Sequence, residues 1–186
     1  MGFCIVGNVF AAEQNETLKT IHARKSVRQY IDRQVTKDQL NVLVKAGMAA
    51  PTAGDKRPWS FVVIDDRKKL DALAEVLPYG KMLKSAPAAI VVCGNPDKFF
   101  PGVESAFWIQ DCSAATENIL LAVESMGLGA VWIGVYPTDS KIKGVQFVLG
   151  IPEKEVPLNV LSIGYPAGME KPKDKFNEKQ IHWNKW

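Results

Sequence analysis

Cysteine and histidine are scarce in this chain of 186 residues, with three of the first and two of the second. Cys4, Cys93 and Cys112 lie far apart without metal-ligand spacing. An odd, sparse count argues against a disulfide framework and fits a reducing compartment. His22 falls near the end of a predicted helix, where a cation favours the helix dipole, and His182 falls in the C-terminal tail; both read as structural. No stretch approaches the roughly 20 apolar residues of a membrane span. The net charge of +3 is too small to argue for nucleic acid. A Gly-x-Ser-x-Gly elbow and a Walker-type loop are both missing. Carboxylates are scattered, with no evident pair for general acid–base work. A chain this short of catalytic side chains is expected to borrow its chemistry from a cofactor, and no residue is assigned a catalytic role.

What is present reads as one ordinary globular domain, with 47% apolar and 23% charged residues. Residues 1–15 are read as an arm, a cloning remnant or a trimmed signal. Residues 16–166 form the domain and 167–186 a basic, aromatic tail. Asn15 caps a predicted helix to about Ala23. Thr36-x-x-Gln39 is a capping box, followed by Leu40, Leu43, Val44 and Met48 at helical spacing. Asp65 or Asp66 caps a helix to about Val76. A long helix is predicted over Phe107–Met126, ended by a left-handed Gly127, and Thr138 caps a helix that stops at Gly150. Strands are predicted at Ser60–Ile64, Ala88–Cys93, Ala130–Val135 and Leu158–Ile163. The alternation implies an α+β or α/β domain with helices on both faces of the sheet. The long helix is apolar over more than one face, which places it centrally or in a dimer interface.

Arg24-Lys25-Ser26-Val27-Arg28 sets three cations and a hydroxyl within five residues. Forked guanidinium donors and a neutral hydroxyl suit a phosphate; the alternative is a solvated basic turn. Ser26 has no nearby base and suits phosphate better than nucleophilic attack. Pro51-Thr52-Ala53-Gly54-Asp55-Lys56-Arg57-Pro58-Trp59 is a tight loop entering a strand. Together the two suggest a site for a phosphorylated, planar cofactor. Gly127-x-Gly129-x-x-x-x-Gly134 has the wrong spacing and context for a dinucleotide fold, since it follows a helix and enters a strand.

These residues also carry a resemblance. Arg24–Arg28 resembles the Arg-Arg-Ser-x-Arg motif of the FMN-dependent nitroreductase family. Ala50–Trp59 is similar to its Ala-Pro-Ser-x-x-Asn-x-Gln-Pro-Trp loop. Gly127–Gly134 resembles its Gly-Leu-Gly segment and following strand, and Gly164-Tyr165-Pro166 its closing Gly-Tyr-Pro. All four occur in the family's order. The resemblance implies an α+β nitroreductase-like fold, a central mixed β-sheet flanked by helices, and an intertwined homodimer whose tail wraps the partner.

It further implies FMN bound at the dimer interface and NAD(P)H as reductant. Arg24, Lys25, Ser26 and Arg28 would hold the phosphate and ribityl side. Pro51, Thr52, Ala53 and Asp55 would come from the other subunit. Lys81 would lie near the pyrimidine edge, backbone amides around Ile133 and Gly134 near flavin N5, and Lys173 or Lys175 at the phosphate. Trp59 and Trp132 read as packing residues. Asp55 and Arg57 depart from the family's Asn and Gln, and Asp55 is expected to be paired by Arg57 or Lys56. The implied activity is two-step hydride transfer to a nitroaromatic, quinone or related small-molecule acceptor, in the cytoplasm, or outside it if a signal is cleaved. A flavin carrier or sensor, and a same-fold dehydrogenase or dehalogenase, remain open alternatives.

Overall fold

In the computed structural model the described residues are 15–168 and 170–186. The expected arm, apart from its last residue, and Cys4 lie outside them. Helix α1 spans Glu16–Ala23 and begins where the Asn15 side chain accepts from the Thr17 and Leu18 amides. Helix α2, Lys37–Met48, carries the complete capping box between Thr36 and Gln39. Strand β1 is Trp59–Ile64. Asp66, rather than Asp65, caps α3, Arg67–Val76, through the Lys69 amide. Strand β2 is Ala88–Gly94. Helix α4 runs Phe107–Ser125, and Gly127 follows in the left-handed region at φ 67°. Strand β3, Gly129–Gly134, precedes α5, Asp139–Leu149. Thr138 makes no side-chain cap on α5, whereas Gly150 ends it with φ 67°. Strand β4, Val156–Gly164, closes the sheet.

The sheet order is β1-β2-β4-β3, and every neighbouring pair of these strands is antiparallel. Among the described residues the parallel component of the expected mixed sheet is a single bridge, Ser26 with Ala130. Strand side chains alternate between faces, and both faces are covered. Ile90, Val92, Leu161 and Ile163 pack with α2 and α4 residues such as Leu43, Cys112, Ala115 and Ile119. Ala89, Val91, Ile133 and Val160 pack with Leu70 and Leu73 of α3 and Val145 of α5. Double-sided burial explains why β2 and β4 read as near-continuous apolar runs. Of the two positions expected for α4, central or in a dimer interface, the single chain shows the first, since eight of its residues are buried.

β3 is an edge strand whose first half is covered by residues 26 and 27. The Val27 amide donates to Ala130 O at 2.9 Å. Only glycine fits at 129: a Cβ there would lie 2.7 Å from Val27 Cβ. The next residues are tied to the chain after β4. The Tyr30 hydroxyl lies 2.8 Å from Val27 O and from Ser162 Oγ, and burial pushes its pKa up. Ile31 N donates to Tyr165 O and Ala167 N to Gln29 O, each at 3.0 Å. No helix among the described residues is long and apolar enough to cross a membrane. Gly129→Ala must displace Val27 and is expected to cost ~1–3 kcal/mol of stability, read as a lower urea midpoint with an unchanged slope.

Candidate functional site

The clamped segment 24–28 forms one wall of a groove and the C-terminal tail forms the other. Arg24, Lys25, Ser26, Arg28, Lys171, Lys173 and Lys175 line it with Glu170, around a volume of about 400 Å³. Arg28 also lines an adjoining cleft of about 670 Å³ with Pro78, Tyr79, Lys81, Met82, Val131, Trp132, Ile133 and Gly134. The two clefts therefore meet at Arg28: one end is rich in cations, the other is a partly apolar slot against a sheet edge. Lys81 is placed in the slot by the short 3-10 turn Lys81–Lys84.

The sheet edge supplies donors there. Ala130 O faces away from β4, because it accepts from Val27. Backbone groups alternate along a strand, so Trp132 and Gly134 also turn their amides to the open edge. The Ile133 amide turns toward β4, as does that of Val135, which donates to Leu158 O. Of the amides expected around Ile133 and Gly134, the geometry offers that of Gly134.

Helix α4 supplies counter-charges. Lys25 Nζ lies 3.0 and 3.2 Å from the Glu124 carboxylate oxygens, and Arg24 Nε lies 2.9 Å from Glu117. Lys25 is thus committed to a carboxylate although it lines the groove. Glu170 accepts from the amides of Arg28 at 2.7 Å and Gln29 at 3.2 Å. Burial works against its charged form, but these donors, its own amide and the Arg28 charge outweigh that and hold the carboxyl below its ordinary value. No group among the described residues has the makings of a metal site. Burial pushes the thiols of Cys93 and Cys112 up to about 12, so neither is a thiolate nucleophile at neutral pH.

The nitroreductase family model matches residues 21–78 and 73–165. The chain belongs to the nitroreductase family. A protein of Archaeoglobus fulgidus, provisionally named NADH dehydrogenase/NAD(P)H nitroreductase, is 45% identical over 92% of this chain and 99% of its own. A Parabacteroides distasonis crystal structure with the same provisional name is 52% identical, with TM-score 0.87, and covers 93% of this chain and 100% of that one. A Clostridium difficile structure named FMN-dependent nitroreductase is 31% identical, with TM-score 0.83, over 91% and 99% of the two chains.

In this nitroreductase the remaining loop stands apart. Pro51, Thr52, Ala53 and Asp55 line neither cleft. Ala53 N donates to the buried Asp111 carboxylate at 2.9 Å. Asp111 and Glu124 are thirteen residues apart on α4, roughly 20 Å along the axis. The loop therefore docks well away from where Lys25 does. Asp55 is paired by Arg57, not Lys56, through contacts of 2.6 and 2.7 Å. This pairing lowers the Asp55 pKa and raises that of Arg57. Lys56 instead lies over the Phe100 ring.

One expectation is corrected. Trp59 is core, but Trp132 is 37% exposed and lines the slot. It lies on the edge strand beyond the Ser26–Ala130 bridge, where the covering segment has turned away. Glu170, Glu117, Glu124 and Asp111 escaped the sequence reading, because an isolated carboxylate has no spacing to announce it. Lys25→Met would strand the Glu124 carboxylate, whose side chain is only 15% exposed. It is expected to cost ~1–2 kcal/mol after solvent screening. Lys25→Met with Glu124→Met should recover most of that loss in a urea-denaturation cycle.

Proposed function

We propose that this nitroreductase binds FMN in the joined clefts and uses NAD(P)H to reduce small electrophilic acceptors. The observation that carries the reading is Arg28, shared between a cationic groove and a partly apolar slot with donors at its edge. FMN has the same two parts, a phosphate and a flat ring. The residues present fit it: Ser26, Arg28, Lys173 and Lys175 suit the phosphate, and Lys81 and the Gly134 amide suit the ring's polar edge. The names of relatives, with NAD(P)H and FMN in them, support the same cofactors.

FMN held there by Ser26, Arg28, Lys173 and Lys175 would supply hydride-transfer chemistry between the nicotinamide and the acceptor. The chain's own part is to bind and orient. Arg28 and Lys81 offset the negative charge that hydride acceptance places on the ring, and the Gly134 amide fixes the ring's edge. No side chain has to relay a proton. Donor and acceptor would bind in turn, a ping-pong scheme. Nitroaromatics, quinones and activated alkenes are the expected acceptors.

The active unit is a homodimer in this reading. The loop 51–55 lies away from its own chain's groove, and a second copy can bring its Pro51, Thr52, Ala53 and Asp55 to the slot. The tail supports this, with Trp183 and Trp186 exposed at 83% and 96%, far beyond what an idle terminus needs.

The deciding experiment is the visible spectrum of the purified protein under anaerobic conditions. Flavin bands should bleach with NADH or NADPH and return with a nitroaromatic. Bands that stay oxidised with both would overturn the oxidoreductase and favour a carrier. Failure to take up added FMN would overturn the cofactor. Asp55→Asn leaves Arg57 unpaired beside the slot of the second copy in this reading, so the flavin midpoint potential should rise in a redox titration; an unchanged potential would place Asp55 away from the ring.

A further inference from the structure

The tail brings one carboxylate into a groove otherwise lined by cations, and that carboxylate is bound to backbone. Glu170 Oε1 accepts from two consecutive amides, Arg28 and Gln29, across 142 and 141 residues of sequence. Upstream the tail is held by backbone, through the Tyr30–Pro166 bridge and the Ala167 amide. Beyond Glu170 its hydrogen bonds are local, such as Phe176 N to Asp174 and Lys179 N to Asn177. Among the described residues Glu170 therefore makes the last hydrogen bond between the tail and the body of the chain. Lys173 and Lys175 follow it within five residues and line the groove.

A loose carboxylate here would repel a phosphate. One whose oxygen is committed to two amides does something else: it fixes where the lysines after it can reach. We propose that Glu170 is a positioning residue for the anionic end of the cofactor, a latch that ties the tail to residues 28 and 29 and so delivers Lys173 and Lys175 to the phosphate. The inference rests on the FMN reading above. Its carboxyl is held below the ordinary glutamate value by those same amides despite burial, so the latch is charged at neutral pH. Its other oxygen, Oε2, is buried without a hydrogen-bond partner, so the latch acts through Oε1 alone. A glutamine there still offers Oε1 to the amides, and it removes the negative charge from the groove.

The test is FMN titration of the full-chain apoprotein, followed by quenching of flavin fluorescence, with the melting transition of each variant as a check on folding. Glu170→Ala should weaken binding about tenfold, the usual scale for losing a charge-assisted contact. Glu170→Gln should bind as well as the parent or more tightly. In a Lys173→Ala/Lys175→Ala background, Glu170→Ala should add little, because the groups it positions are gone. The latch is overturned if alanine and glutamine both tighten binding, which would make Glu170 only a repelling charge. It is equally overturned if neither changes binding, or if the alanine and lysine effects add. Glu170→Asp, too short to span both amides, replaces alanine if that variant does not fold, and should bind more weakly than the parent. A parent protein that binds no FMN would sink the cofactor reading instead; inorganic phosphate as probe then carries the same comparison of variants.

Discussion

The cations of the groove depend on how residues 26–31 are held against the sheet. That segment has no regular secondary structure of its own, so its position comes from what it borders. Val27 pairs with Ala130 on the edge of β3, and Tyr30 ties Val27 to Ser162 of β4. Residues 165–167 bond back to Gln29 and Ile31. The segment is thus wedged between an edge strand and the exit of the neighbouring strand, both anchored in a core packed on two faces. Alternation does the rest. With Val27 buried, Ser26 and Arg28 on either side of it are exposed, one hydroxyl and one guanidinium facing the same groove. Gly129 makes the wedge possible, since any side chain would occupy the volume of Val27.

Charge is distributed with the same economy. Two of the cations in the motif, Arg24 and Lys25, meet carboxylates of α4. Arg28, Lys171, Lys173 and Lys175 form no ion pair among the described residues, and these are the cations an incoming anion meets without competition. The paired ones hold α1 and its loop to α4 and still contribute positive potential. Freeing Arg24 and Lys25 as well would raise the positive potential of the groove, but self-repulsion would destabilise it.

Much of the fold was legible because its signals are local. The capping box at Thr36, the Asn15 cap, the left-handed Gly127 and the helix stop at Gly150 each act within a few residues, and each is found where expected. Asp65 and Asp66 are both sterically capable caps, and only the chain's path selects the second. The antiparallel pairing was not legible, because strands buried on both faces lose the alternation that separates the two arrangements. The pairing of Asp55 was half legible: two cations follow it, and backbone direction decides for Arg57. Trp132 was misread because an apolar strand residue is ordinarily core, and an edge position is a property of the sheet, not of the strand. Glu170 was invisible for a related reason. Its partners are backbone amides more than 140 residues away, and every residue has an amide.

The loop from Gly54 to Arg57 shows how a strained turn is held in one shape. Gly54, Asp55 and Arg57 all have positive φ, at 54°, 52° and 47°. The two non-glycine residues carry strain on the order of 1 kcal/mol each. Such a conformation persists only if its surroundings over-determine it, and here they do. Thr52 Oγ1 accepts from the Arg57 amide at 3.1 Å, Ala53 N is fixed to the buried Asp111, and the Asp55–Arg57 fork closes the turn. An Asn in place of Asp55 would keep the turn propensity but not the fork. The Asp–Arg combination therefore exchanges a neutral side chain for an internally compensated pair. It holds the loop in one shape and leaves Lys56 as the loop's exposed cation outside that pair. Ordering the loop in the single chain lowers the entropy cost of any contact it makes.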